Sequence, residues 1–196
     1  MVDRLVDNIN HLNDNQCIKR FKLFTSIDTW GSRAEYIRTG LNYNQWLENF
    51  RRAVAHRRYG RQVRIDFTLT LPGLWSIPSI LQLAQETNSE ILAKVIFSFS
   101  PDIILSPLSL PRAILDSRVN SLVADLPAGA LKDVLVQLKN RPNFEEQWPE
   151  EYQTGLARGK ARVLQLEHIR GDNYTLEDIL KRDSDVRQWW KNIRSS

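Results

Sequence analysis

Cysteine is nearly absent from this chain: Cys17 stands alone among 196 residues. That excludes an internal disulfide, and with it any metal or cluster site built from the chain's own cysteines. A lone thiol of this kind is expected to be a small buried side chain. Histidine is scarce too: His11, His56 and His168 are scattered, with no HExxH or other paired-ligand spacing, so no metal site is expected. The glycines form no phosphate-cradling loop; Gly155, Gly159, Gly171 and the Tyr59-Gly60-Arg61 run read as turns. No apolar run approaches the roughly 20 residues that span a bilayer. No basic, then apolar, then small-residue leader opens the chain, so a cytoplasmic location without a membrane partner is expected. Charge of one sign is also in short supply. The 27 Lys and Arg against 23 Asp and Glu leave a net +4, and without a concentrated patch a nucleic-acid partner is not expected.

What is present is an ordinary globular composition, 42% hydrophobic and 26% charged, enough to bury a core. The chain is organised around Phe21 to Gly40, FKLFTSIDTWGSRAEYIRTG. Ile18 to Ile27 reads as a strand rich in β-branched and aromatic residues, broken at Asp28-Thr29-Trp30-Gly31 into a polar loop. Alternation puts Lys22, Phe24, Ser26 and Asp28 on one face. Ser26 and Asp28 therefore meet at the strand's C-terminal end, where ligands bind in α/β folds.

Around this strand the periodicity predicts helices and further strands in turn. Val2, Leu5, Ile9 and Leu12 place a helix over about 2–13. Asn42 is the expected N-cap of a second helix, with Trp46, Leu47, Phe50 and Val54 inward, stopping near Tyr59-Gly60. Alternation of Val63, Ile65, Phe67, Leu69 and Leu71 with Arg64, Asp66, Thr68 and Thr70 predicts the clearest strand. A helix follows over Pro78 to Glu86, then a strand over Lys94 to Ser100. The order α, β, α, β, α, β signals parallel strands joined by helical crossovers.

Each strand carries short polar residues at its C-terminal end on one face: Ser26 with Asp28, Thr68 with Thr70, Ser98 with Ser100. One polar face fits an incomplete barrel holding a ligand inside, rather than a sheet dry on both sides. The competing reading of these hydroxyls is local bonding to backbone at strand ends. Three strands leave two unpaired edges and a narrow core, so a missing portion should lie beside the first strand. We divide the chain into a partial α/β barrel, 1–105, and a mainly helical extension, 106–196. In the extension, helices are expected around Ala113 to Val123, over Ala128 to Lys139, around Leu156 to Leu166, and after a cap at Thr175. Asn140 to Glu151 is expected as a polar connector, Asp172-Asn173 as a turn or a polar hook over the barrel mouth, and Trp189 and Trp190 as C-terminal docking residues.

The run Ser26-Ile27-Asp28, Gly31, Ala34-Glu35-Tyr36-Ile37-Arg38, Gly40-Leu41 and Asn49-Phe50 resembles the second half of radical S-adenosylmethionine enzymes, in particular bacterial and phage members with a twitch or SPASM-type C-terminal extension. The likeness continues loosely through 63–71 and 94–100 to the LSPLSLP turn at 105–111. It implies a partial TIM-like barrel holding a four-iron four-sulfur cluster and S-adenosylmethionine at the C-terminal ends of its strands. By that resemblance Ser26 and Asp28 lie near the cofactor's ribose and amino-acid portions, and Arg38 meets its carboxylate, as a planar guanidinium can. Thr68 and Thr70 offer hydroxyls to the ribose, and Ser98 completes the polar end. Alternatively, Arg38 pairs with Glu35 on its own helical turn. The CxxxCxxC loop of the family is absent. The cluster is thus implied only if an N-terminal radical S-adenosylmethionine half is supplied, as part of the same gene product or as a split partner, and the chain alone should be inactive on a substrate that stays unknown.

A second function class is a binding module without chemistry. Arg51, Arg52, Arg57, Arg58, Arg61 and Arg64, with His56 and Tyr59 among them, form a dense basic cluster that could contact RNA or an acidic partner. The plainer reading of that run is the solvated face and C-terminal end of a helix.

Overall fold

A computed structural model of the chain describes residues 2–99, 103–171 and 174–194. Its architecture is α/β. Helix α1 (Val2–Asp14) leads to strand β1 (Leu23–Ile27), and α2 (Ser32–Ile37) and α3 (Tyr43–Val54) lead to β2 (Val63–Leu69). Then α4 (Ile77–Thr87) crosses to β3 (Glu90–Val95). The remainder is helical: α5 (Arg112–Asp125), α6 (Ala130–Asn140), α7 (Phe144–Gln147), α8 (Pro149–Arg170), α9 (Leu176–Leu180) and α10 (Ser184–Asn192). The sheet order is β1-β2-β3 and both pairings are parallel.

A monotone order of parallel strands places successive crossovers of one hand on the same side of the sheet. The strand burial agrees. Leu23 and Ile27, every odd residue from Val63 to Leu69, and Ile91, Ala93 and Val95 face the apolar core, where α3 contributes Phe50 and Ala53 and α4 contributes Ile80 and Leu83. The opposite face carries Phe24, Ser26, Arg64, Asp66, Thr68, Glu90, Leu92 and Lys94, all exposed or half-buried. Phe24 is 46% exposed and Leu92 51%, so this face lacks a cover. The buried cluster runs without interruption from Ile27 to Ile193, so the helices after residue 105 share the core of the sheet.

Several boundaries differ from expectation, each for a tertiary reason. β1 starts at Leu23 rather than Ile18, because its partner begins at Val63, opposite Leu23, leaving nothing for 18–22 to pair with. β3 runs Glu90–Val95 rather than 94–100: Asn88 turns the chain in the left-handed region directly after α4, and the register Arg64↔Glu90 ends the ladder at Leu69↔Val95. Ser98 therefore lies beyond the strand, while Ser100 and Asp172-Asn173 lie outside the described residues.

Helix α3 stops at Val54 instead of near Tyr59, and Gly60 opens a separate short turn. A Cβ there would meet the Val54 carbonyl oxygen at 1.9 Å, so only glycine fits. The loop after β1 contains α2, which was not expected. Gly155 and Gly159 are not turns but lie inside α8, where Phe99 and Ile103 crowd their Cα atoms. Only Gly171 ends a helix, at φ 64°. The 140–151 connector holds α7, capped by an Asn143–Glu146 box. Cys17 is exposed, not buried, because the segment around it lies outside the sheet.

The expected caps hold. Asn42 accepts the Gln45 amide at 2.9 Å, Thr175 forms a box with Asp178, and Trp189 and Trp190 are buried.

Candidate functional site

β1 delivers Asp28 to its C-terminal end, 7% exposed. Gly31, at φ 64°, turns the chain into α2, and the last turn of that helix presents Arg38, whose amide donates to the Ala34 carbonyl at 2.9 Å. The Arg38 guanidinium grips Asp28 with two nitrogens: Nε on Oδ2, and Nη2 on Oδ1 at 3.3 Å. This bond is the main reason the Arg38 pKa rises above its ordinary value. Glu35 takes no part in it; its carboxylate accepts the Tyr43 amide at 2.8 Å instead. Arg38 keeps 41% of its side chain exposed, so one edge of the guanidinium is committed while the other faces outward.

One step along the open face, Ser26 Oγ donates to Asp66 Oδ2 at 3.0 Å, and Lys94 Nζ lies 2.8 Å from both Asp66 oxygens. Burial opposes the charge of Asp66, but the bonds from Lys94 and Ser26 outweigh it and hold the carboxyl below the usual range. The register that sets Ser26 opposite Asp66 builds this line of charge across the strands.

The threonines divide. Thr70, 2% exposed, spends its hydroxyl on backbone: it donates to the Asp28 carbonyl at 3.3 Å and accepts the Gly73 amide at 3.1 Å. It staples the ends of β1 and β2 together. Thr68 is half-buried on the open face, and its hydroxyl makes no hydrogen bond among the described residues. Ser98 sits half-buried three residues past β3. Ser26, Asp28, Arg38 and Thr68 thus gather at the open face, while Thr70 supports it from behind.

Comparison with protein-family models, curated proteins and solved structures gives no significant match.

Sequence reasoning passed over two parts of the site. Asp66 and Lys94 were legible only as polar positions of alternating strands, because their pairing depends on the β2–β3 register. The second is a buried polar cluster behind the loop. Ser76 Oγ accepts from Trp30 N at 3.1 Å and Arg33 Nη2 at 3.0 Å, so it donates its own proton to Thr29 Oγ1 at 2.6 Å. Thr29 in turn accepts Arg33 Nε at 3.4 Å and donates to the Pro72 carbonyl at 3.3 Å. Arg33 is 6% exposed and has no carboxylate partner among the described residues; burial, then the nearby Arg182, push its pKa down. The extension braces the same loop: Glu167 of α8 accepts from Tyr36 Oη at 2.8 Å and the Leu176 amide at 2.6 Å. Among the described residues no group of three or more His, Cys, Asp or Glu could hold a metal, and no helix is long and apolar enough to cross a membrane.

Proposed function

We propose that this chain is the C-terminal, cofactor-contacting part of a radical S-adenosylmethionine enzyme with a twitch or SPASM-type extension, and that it needs an N-terminal half to act. The observation that carries the reading is the uncovered sheet face, with Asp28–Arg38 and Ser26–Asp66–Lys94 strung across it. In an incomplete barrel that face is the interior, and helices cover only the outside. Two further features support a missing neighbour. Among the described residues β1 pairs on one side only, and an apolar hollow of about 380 Å³ lies between α1, β1 and α3, walled by Leu5, Ile9, Trp46 and Phe50.

The residues present suit the organic cofactor better than the cluster. The outward edge of Arg38 can take a carboxylate, and the Thr68 and Ser26 hydroxyls can meet ribose oxygens. A lone exposed Cys17 cannot ligate four irons, so every cluster ligand belongs to the other half. When both halves are present the cofactor supplies the radical; this chain's residues bind it, orient it and keep the Asp66 carboxylate in its charged form through Lys94 and Ser26.

The test mixes the chain with a cluster-reconstituted N-terminal half encoded upstream and measures 5′-deoxyadenosine under reducing conditions. Product is expected from the pair and from neither part alone, and Arg38→Ala should raise the cofactor concentration needed for half-maximal product at least tenfold. No product from the pair, with a full-length relative active in the same assay, would overturn the reading.

A further inference from the structure

The opposite end of the sheet holds a second feature, independent of the cofactor reading. Parallel pairing of Leu23 with Val63 brings together the two segments that enter these strands, residues 15–22 and 57–62, although forty residues separate them. Between them lies a cleft of about 680 Å³. Six cations line it: Lys19, Arg20, Lys22, Arg58, Arg61 and Arg64.

Two of the six are already neutralised and serve as framework. Arg58 pairs with Asp14 at 2.8 Å and Arg64 with Glu90 at 2.5 Å. The other four, Lys19, Arg20, Lys22 and Arg61, are exposed and have no acidic partner among the described residues. In a chain whose whole excess is +4, four unpaired cations in one cleft are a concentration that the linear sequence spreads over two runs. Arg51, placed with Arg58 and Arg61 by sequence proximity, instead turns to Glu86 at 3.2 Å.

The cleft is also aromatic. Phe21 lines it between Arg20 and Lys22, and its ring meets Tyr59 edge-on at 5.2 Å. Arg58 lies over that tyrosine at 5.3 Å and His56 stacks on it at 5.1 Å, so the ring is held in place. Spaced cations flanking a ring match a chain of phosphates carrying stackable bases; an acidic peptide or a lipid surface would match the charges but leave the ring without use.

We propose that this cleft binds single-stranded nucleic acid, with Lys19, Arg20, Lys22 and Arg61 on successive phosphates and Phe21 against a base. Because it lies at the N-terminal ends of the strands, it works whether or not the other end holds a cofactor.

The experiment is fluorescence anisotropy of a labelled 12-nucleotide oligouridylate titrated with the full chain across a series of NaCl concentrations. Four phosphate contacts predict that log K falls against log salt with a slope near −3, at about 0.7 per contact on a single strand. The triple variant Lys19→Ala, Arg20→Ala, Lys22→Ala should weaken binding at least tenfold and bring the slope to about −1. Arg158→Ala, on α8 at a distance from the cleft, should leave both unchanged, and matching unfolding temperatures would show that all three proteins are folded. Salt-independent binding, no detectable binding at low salt, an unaltered triple variant, or displacement by poly-L-glutamate at equal charge would each overturn the proposal.

Discussion

Arg33 shows what a buried charge demands when no carboxylate among the described residues answers it. Its guanidinium rests on two hydroxyls, Thr29 and Ser76, and each of those is saturated by the rest of the network. Ser76→Ala removes the oxygen that serves both Arg33 and the Trp30 amide, leaving two buried donors unmet at about 1–3 kcal/mol each. Urea denaturation of that variant should show a loss of about 2–6 kcal/mol, well above that of an exposed serine such as Ser184→Ala. Asp66 makes the corresponding case for pH. Its carboxyl titrates lower in the folded state than in the unfolded one, so its contribution is complete above the ordinary carboxylate range and is lost as pH falls through the depressed folded value. Carboxyl-detected NMR should find Asp66 titrating below the ordinary aspartate value, and Lys94→Met should move it upward.

At the scale of elements, glycine marks where backbones touch. At Gly60 the obstacle to a methyl group is the Val54 backbone carbonyl, which cannot move without unwinding α3. At Gly159 the obstacles are Ile103 Cγ2 at 2.5 Å and Ile104 Cγ1 at 2.9 Å, atoms attached to the stiff branched Cβ of two buried side chains, although alanine recovers about 1 kcal/mol of helix propensity there. Gly60→Ala is therefore expected to cost about 3 kcal/mol and Gly159→Ala, offset by the gain in helix propensity, about 1–2 kcal/mol in chemical denaturation. A ranking in the other order would contradict the packing described for α8. The elements themselves were mostly legible. The alternation of Val63 to Leu69 and the caps at Asn42 and Thr175 act over a few residues, and a local signal suffices for them. The edges of β1 and β3 were not legible, because strand ends are set by where the partner stops: Glu90 to Ala93 join the ladder because Arg64 to Phe67 lie opposite. Helix α2 was missed because its start depends on the positive φ of Gly31 rather than on an apolar stripe.

For the whole molecule, the extension and the sheet form a single apolar unit, tied by α8. Tyr152 of that helix donates to the Ser109 carbonyl at 2.6 Å, and burial pushes its phenol up to about 12. In the unfolded chain the phenol ionises near 10. The folded state therefore keeps a neutral phenol that the unfolded state would lose, so this part of the stability is present below about pH 10 and disappears between there and about 12. Thermal unfolding of the wild-type chain should drop steeply over that interval, and Tyr152→Phe should flatten the drop.

Local chemistry along the chain was enough to specify the presence of three strands, most of the helices, the caps at Asn42 and Thr175, and the polar positions of β1 and β2, because alternation, periodicity and capping are short-range rules. The placement of Arg38 on Asp28 rather than Glu35, the Asp66–Lys94 pair, the uncovered face and the convergence of Lys19 to Lys22 with Arg58 to Arg64 came from the fold in three dimensions. Each of these depends on register and crossover direction between segments dozens of residues apart, and no local pattern carries that information.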